Sequence, residues 1–338
     1  MTAKTYTVTL IEGDGIGPEV VGAARKVIEA AGVSIEWDVQ VVGLKAQEQV
    51  GSLLPDEALE SIRRNRVAFK GPITTPGSEG YPSLNVSIRQ RLDLFACLRP
   101  VKSLKGLRSL YSNVDLVVVR ENTEDLYAGK EHEVVPGVVE SLKIITRVAS
   151  TRIARFAFQY ASDNGRRKIT AVHKANVMKL SDGLFLDCCR QMAKDYPDIE
   201  YEEVIVDAAC QHLVMNPARF DVLLMENLYG DIISGLSAGL VGGLGLVPGA
   251  NLGYNCAVFE ATHGSWPEVA GKDIANPTAL ILTGAMMLRH LGEAEAADMV
   301  EGAVGRALAE GRVLTQDLGG NASTTEYTQR VIECLSNR

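Results

Sequence analysis

The chain has 338 residues, 46% hydrophobic and 22% charged, room for about two domains at roughly 150 residues each and unlike a disordered, collagenous or coiled-coil sequence. With 34 basic against 42 acidic residues the formal charge is -8 and the isoelectric point near 5.3. No basic surplus exists to neutralise nucleic acid or an anionic membrane, so any anionic ligand must be met by local clusters of cations. Cys97, Cys188, Cys189, Cys210, Cys256 and Cys334 form no CxxC pair, the usage of reduced thiols, and the opening residues show no leader pattern. The expectation is a cytoplasmic protein.

In chain order, residues 6–11 read as a strand and 18–31 as a helix, with strands following at 67–69 and 116–119. A helix at 150–163, a strand at 169–172, a helix at 182–196 and strands at 203–206, 222–225 and 257–259 come next, before a helix at 293–310. The uncharged run 232–258 holds seven glycines and Pro248, which suits close helix packing and turns better than a bilayer span. Branched apolar runs alternating with helical periodicity give an α/β fold with helices on both faces of a largely parallel sheet. No repeat or low-complexity linker marks a domain boundary.

Polar groups that an apolar strand does not need sit directly after several buried runs. Arg120 follows one, His173 and Lys174 another, then Asp207, Glu226 with Asn227, and Glu260 ahead of His263. Ligands of open α/β sheets bind beyond strand ends, so the repetition predicts one polar cleft assembled from these segments. Residues 83–89 open a helix in which Leu84, Ile88, Leu92 and Phe95 make the apolar stripe while Asn85 and Arg89 share another face. Ser83 stands where an N-cap would. Arg89, Arg99 and Arg120 in an acidic chain look like a clamp for several carboxylates, because the guanidinium fork pairs with them bidentately. Tyr127 is either a packing aromatic or a general acid with its pKa lowered by a cation, for which Lys174 is a candidate. Lys174 is otherwise a solvated lysine. Asp207 and Asp231 suit Mg²⁺ or Mn²⁺ better than Zn²⁺, although Asp231 could merely cap a helix. The stretch from Gly13 to Gly17 fails the GxGxxG pattern at Pro18, and no P-loop occurs, so a nucleotide must bind by another device. The turn-rich run 263–277 could cradle a dinucleotide.

The segments IEGDGIGPE, SLNVSIRQRLDLFACLRP, RENTEDLYAG, TAVHKANVMKLSDGLF, NLYGDIIS and THGSWPEVAGKDIANP, in this order from Leu10 to Asn321, resemble the isocitrate and isopropylmalate dehydrogenase family. The resemblance implies that family's β-decarboxylating fold, distinct from the Rossmann fold. Residues 1–98 and 254–338 would form a larger discontinuous domain, and 99–253 a smaller inserted one carrying the dimer interface. A homodimer with shared active sites is implied. Isocitrate is the implied substrate, because Ser83 and Asn85 precede Arg89 where isopropylmalate enzymes carry leucines and an extra arginine. Ser83 and Asn85 would meet one terminal carboxylate and Arg89, Arg99 and Arg120 the others, with Tyr127 as acid and Lys174 of the second subunit as base.

NAD is the implied cofactor. NADP-dependent relatives place lysine and tyrosine where Glu268 and Val269 stand, and a carboxylate there favours ribose hydroxyls over a 2′-phosphate. His263, Gly264 and Asn276 match adenosine-side contacts, Thr74 and Thr75 flank the nicotinamide, and Asn176 belongs with the cofactor contacts. Asp231 and the second subunit's Asp207 would hold Mg²⁺ or Mn²⁺. Gly235 departs from the family, which usually has a second aspartate there. That loss predicts metal binding weaker by ~1 to 2 kcal/mol, or a noncatalytic regulatory subunit. Homoisocitrate or another 3-substituted malate is the remaining substrate reading.

Overall fold

A computed structural model describes residues 4–75, 83–107 and 109–336. Its strands are β1 (Thr5–Ile11), β2 (Ser34–Gln40), β3 (Val67–Lys70), β4 (Ala96–Lys102), β5 (Asp115–Glu121), β6 (Glu131–Val135), β7 (Val138–Ser141), β8 (Lys168–His173), β9 (Glu200–Ile205), β10 (Val222–Met225), β11 (Ala250–Leu252) and β12 (Ala257–Glu260). Its α-helices are α1 (Gly17–Ala30), α2 (Leu44–Val50), α3 (Asp56–Asn65), α4 (Leu84–Arg91), α5 (Arg147–Asp163), α6 (Ser181–Ala193), α7 (Val206–Met215), α8 (Asn227–Val241), α9 (Thr278–His290), α10 (Ala294–Glu310) and α11 (Thr324–Ser336).

The fold is α/β, but the sheet differs from the parallel one expected. Ten strands run in the order β2-β1-β3-β12-β11-β4-β5-β10-β8-β9, and the pairs β12/β11, β11/β4 and β4/β5 are antiparallel. Two parallel blocks therefore point in opposite directions, one containing β1, β3 and β12 and the other β5, β10 and β8. Strand direction is invisible to hydrophobic periodicity, because a strand buried on both faces reads the same either way. The helix read at 18–31 appears as α1, opened by Pro18 and Glu19, with Val20, Ala24, Val27 and Ile28 buried along one stripe. α5 begins three residues earlier than read, where the Thr146 hydroxyl accepts the Ala149 N–H at 3.2 Å. β9 ends before Val206, so Asp207 lies in the first turn of α7 and not in a loop after a strand.

One apolar core gathers β1, β3 and β12 with α1 and α9–α11, and another gathers β4, β5, β8 and β10 with α5 and α6. Leu252 and Met286 pack against both. β2, β4, β11 and the separate hairpin β6–β7 were not read from sequence. β2 is only part-buried, and every residue of the hairpin is exposed, so neither carries a clean apolar alternation. No helix among the described residues is long and apolar enough to cross a membrane.

Candidate active site

Opposed strand blocks bring two sets of polar strand ends to the middle of the sheet. From one block come Lys70 at the end of β3 and Glu260 at the end of β12; from the other come Arg120 near the end of β5 and Asp231 in the first turns of α8. They line a cleft of about 350 Å³ together with Ser83, Asn85, Arg89, Arg99, Tyr127, His263 and Gly264. That volume lies within the range of small-molecule sites, roughly 300–1,000 Å³. Four cations, Lys70, Arg89, Arg99 and Arg120, face two carboxylates, Asp231 and Glu260. The surplus is positive inside a chain whose overall charge is -8. The local balance of charge is thus opposite in sign to that of the whole molecule, as an anion-binding cleft would need.

Each arginine is held. Arg120 is 1% exposed and spans Asn227 Oδ1, at 2.9 Å from Nε and 2.6 Å from Nη2, and Asp231 Oδ1. Arg99 Nη1 lies 3.7 Å from Asp231 Oδ1. Arg89 donates to Glu260 Oε1 at 2.9 Å, and Lys70 Nζ sits 2.6 Å from the other oxygen of that carboxylate. Asn251 adds a third donor to Glu260 at 2.7 Å. Burial opposes the Glu260 charge, but Lys70 and Arg89 outweigh it and hold the carboxyl far below its ordinary range. Asp231 is likewise held low: desolvation works against it, while Arg120, the Tyr127 hydroxyl and Arg99 win. Lys70 and Asn251 were missed. Lys70 directly follows the run read as a strand at 67–69, so the rule that found Arg120 would have found it too.

Tyr127 donates to Asp231 Oδ2 at 2.7 Å, under the Arg120 guanidinium 4.9 Å from its ring centre. Its pKa is raised, by burial first and by the hydrogen bond to Asp231 second. The expected lowering by Lys174 is thus reversed in the single chain. Lys174 does not reach this cleft. It follows β8, which the strand order places next to the sheet edge, and it pairs with exposed Asp207 instead. Asn176 is exposed in the same turn. The single cleft expected from strand ends therefore divides: Arg120, Asn227, Glu260 and His263 meet in one place, while half-buried Lys174 pairs with exposed Asp207 in another, Glu226 is buried against Lys143, and His173 accepts the N–H of Ala175 in its own turn.

Ser83 occupies the N-cap position of α4 but makes no side-chain cap bond; Thr75 Oγ1 accepts the Leu84 N–H at 3.1 Å in its stead. Ser83 lines the cleft with no side-chain partner among the described residues. Asn85 Oδ1 and Arg89 Nε are buried with no partner among the described residues, an acceptor and a donor awaiting a ligand. The apolar stripe of Leu84, Ile88, Leu92 and Phe95 is buried as read.

The glycine-rich turn near the N-terminus serves packing. Gly13 and Gly15 have φ of 79° and 60°, and a Cβ on either would lie within 2.1 Å of a carbonyl oxygen, of Pro72 or Ser265. Between them Asp14 accepts the N–H groups of Thr74, at 2.7 Å, and Leu44, at 3.0 Å. Thr74 also shares a 2.7 Å hydroxyl contact with Ser265, tying the segments that hold Thr74 and His263 together.

The residues read as dinucleotide contacts fit one in part. His263 Nδ1 contacts Gly264 O at 3.1 Å, and Nε2 is buried without a partner. Burial keeps the ring neutral by lowering its pKa, so Nε2 is an acceptor at the rim of the cleft. Gly264 has open space where a side chain would stand. Glu268 and Val269 lie on a short 3-10 turn, Pro267–Val269, with Glu268 exposed and free of ion pairs among the described residues. Asn276 is already committed: Oδ1 accepts from Thr278 N and Oγ1, and Nδ2 donates to Asp317 at 2.9 Å. Its side chain starts α9, which leaves its backbone and one amide hydrogen for a ligand. Nothing in the structure explains Trp266, half exposed at φ 38°. For a divalent ion the fit is incomplete in one chain. No group of three His, Cys, Asp or Glu side chains gathers to hold a metal among the described residues, and the space beside Gly235 is open.

The family model described as isocitrate/isopropylmalate dehydrogenase matches residues 7–331. A mitochondrial NAD isocitrate dehydrogenase catalytic subunit of Arabidopsis thaliana is 54% identical over 97% of this chain and 88% of its own length. A regulatory subunit of the same enzyme from Dictyostelium discoideum is 51% identical over 99% and 93%, and a chloroplastic 3-isopropylmalate dehydrogenase of Solanum tuberosum 53% over 90% and 86%. The crystal structure of isocitrate dehydrogenase from Methylococcus capsulatus superimposes with a TM-score of 0.95 at 52% identity, covering 98% of this chain and 99% of that one.

Proposed function

The chain belongs to the isocitrate/isopropylmalate dehydrogenase family, and from that premise we propose that it oxidises isocitrate with NAD, releasing CO₂ and 2-oxoglutarate. The observation that carries this reading is the convergence of Arg89, Arg99, Arg120, Ser83 and Asn85 on the cleft that also holds Tyr127 and His263. A tricarboxylate matches a positive surplus better than a dicarboxylate bearing an isopropyl group, which would leave the Ser83 hydroxyl and the Asn85 amide NH₂, both able to donate to a carboxylate, facing carbon.

In this reading the arginines fix the carboxylates and orient C2, and NAD, which Thr74, Thr75 and His263 would border, would supply the acceptor for the hydride that leaves C2. Lys174, presented by a second copy of the chain, accepts the proton of the 2-hydroxyl. The C–CO₂ bond then breaks and its electrons pass to the neighbouring carbonyl. Tyr127, kept protonated by burial and by Asp231, returns a proton to the carbon that lost CO₂. Asp231 with Asp207 of the second copy would hold Mg²⁺ or Mn²⁺, which supplies positive charge for the oxygen that becomes negative. Val134, Val135, Val138 and Val139 of the β6–β7 hairpin are at least half exposed, an apolar strip that supports self-association into a homodimer. The division into residues 1–98 with 254–338 and 99–253 is part of the proposal, as is a cytoplasmic location; the names of the plant and slime-mould relatives are organellar.

The test is NAD reduction by the purified chain alone with isocitrate, homoisocitrate and 3-isopropylmalate compared under Mg²⁺ and Mn²⁺. Turnover on isocitrate at least tenfold above the other acids supports the reading. Equal or better turnover on either competitor overturns the substrate assignment. The open space at Gly235 favours a second reading, a regulatory subunit. Tyr127, Lys174, Asp207 and Asp231 stand against it, and no turnover by the pure chain would establish it.

A further inference from the structure

The strands that carry the polar cleft present a different surface on their other face. Side chains alternate along β4, β11 and β12, so Arg99 and Glu260 face the polar cleft while Leu98, Ala250 and Phe259 point the opposite way. The register places these three side by side, Leu98 opposite Ala250 and Ala250 opposite Phe259. They floor a second cleft of about 880 Å³, large enough for a drug-sized molecule. Leu252 and Met286, which pack against both apolar cores, lie in the same cleft, so it runs along the seam between those cores.

Its chemistry narrows the occupant. Phe156 and Tyr160, stacked with ring centres 6.3 Å apart and planes within 21°, supply a flat aromatic wall. Lining cations are already neutralised: Arg166 by Asp115 at 2.6 Å and Asp221 at 2.9 Å, Arg289 by Asp298 at 2.8 Å and Glu301 at 3.1 Å. Lys102 lies 3.7 Å from Asp115. Three basic residues and three acidic ones, Asp115, Asp163 and Glu301, line the cleft, so it offers no net charge to an ion. The Tyr160 hydroxyl and the His290 ring have no hydrogen-bond partner among the described residues and remain for an uncharged polar group. We propose that this back cleft binds an uncharged, largely aromatic small molecule, and that its occupancy alters substrate affinity through the three shared strands. A ligand wedged at the seam contacts Leu98, Ala250 and Phe259, each next in sequence to a residue of the front face, so the two clefts cannot adjust independently.

Nile red, uncharged and fluorescent in apolar surroundings, is the probe. Wild-type chain is expected to bind one dye per protomer saturably, and Met286→Arg and Leu282→Trp to weaken that binding at least tenfold in protein whose far-UV circular dichroism matches wild type. Saturating dye is expected to shift the isocitrate Kd, read by calorimetry, by threefold or more. Dye binding that survives both variants places the probe elsewhere, as on the exposed valines of the hairpin or between two copies, and overturns the site. Absence of saturable binding overturns it equally. An isocitrate Kd indifferent to bound dye overturns the coupling, which rests on the isocitrate reading. Should isocitrate fail to bind the dye-free chain, that reading fails while the fluorescence result still decides the site, and coupling is then read on NAD.

Discussion

Two patches of charge that the family likeness assigns to one reaction have opposite characters in this chain. Around Arg120, Asp231 and Tyr127, and around Glu260, Lys70 and Arg89, the charges are buried or half-buried, and each carboxylate is met by at least two donors. Lys174 is half-buried and Asp207 exposed, and among the described residues neither side chain has another ion-pair partner. A pair of that kind contributes little to stability because water and salt screen it. The buried set is fixed before any ligand arrives; in the proposed reading the Lys174–Asp207 pair would join a site only where a second copy covers it. The difference teaches that burial pre-forms one group of charges and leaves the other to whatever surface meets it.

The sharpest way to break this comparison is complementation. Lys174→Met and Tyr127→Phe are each expected to lower kcat by a factor of about 10²–10⁴, the usual worth of a general acid or base. Mixing the two inactive variants after unfolding and refolding together should restore roughly a quarter of wild-type sites, if each site draws one residue from each copy. No recovery would place both residues in one chain's site and dissolve the contrast.

Next in size, Glu260→Gln is expected to destabilise the fold by about 3–5 kcal/mol at pH 7, because Lys70 and Arg89 lose their buried counter-charge. Urea denaturation measures it, with Asp207→Asn as the exposed control, whose midpoint should stay at the wild-type value. The same pair fixes a pH dependence. The Glu260 carboxyl is depressed in the folded state, so its contribution is present above the unfolded value near pH 4.5 and is lost as pH falls below it. Wild type should therefore lose stability more steeply than the glutamine variant between pH 5 and pH 3, roughly the window beneath an ordinary glutamate pKa. Parallel slopes would mean that the salt bridge carries no such linkage.

A smaller effect is expected at the exposed cofactor turn. Glu268→Lys with Val269→Tyr should raise the NADP to NAD ratio of kcat/KM by roughly 10- to 100-fold, since a lysine attracts the 2′-phosphate that a glutamate repels. An unaltered ratio would detach this turn from the adenosine. Gly235→Asp has the least expected effect, ~1 to 2 kcal/mol, or about tenfold tighter Mn²⁺ binding by calorimetry. Unchanged affinity would show that the open space beside Gly235 does not face the ion.

The segments that carry chemistry were legible because their residue types are costly elsewhere. An arginine after three valines at 117–119 has no packing use, and the helix opening at Ser83 reads its apolar and polar faces at a spacing of four; His173 misled, because it is buried and accepts the Ala175 N–H of its own turn away from the cleft. Lys70 escaped only because the strand was closed one residue early. Asn251 had no signal: it lies in a glycine-rich run, and its value comes from Glu260 and Asn122 on other strands. By itself the sequence determined the α/β class, the family, the apolar stripes and the residue types of the site, because periodicity and motif are properties of neighbouring positions. Strand direction, the division of the candidate residues into two patches, the upward pKa of Tyr127 and the cleft behind Arg99 were decided only in three dimensions. Each depends on which distant segments become neighbours, and burial and charge act across that distance and not along the chain.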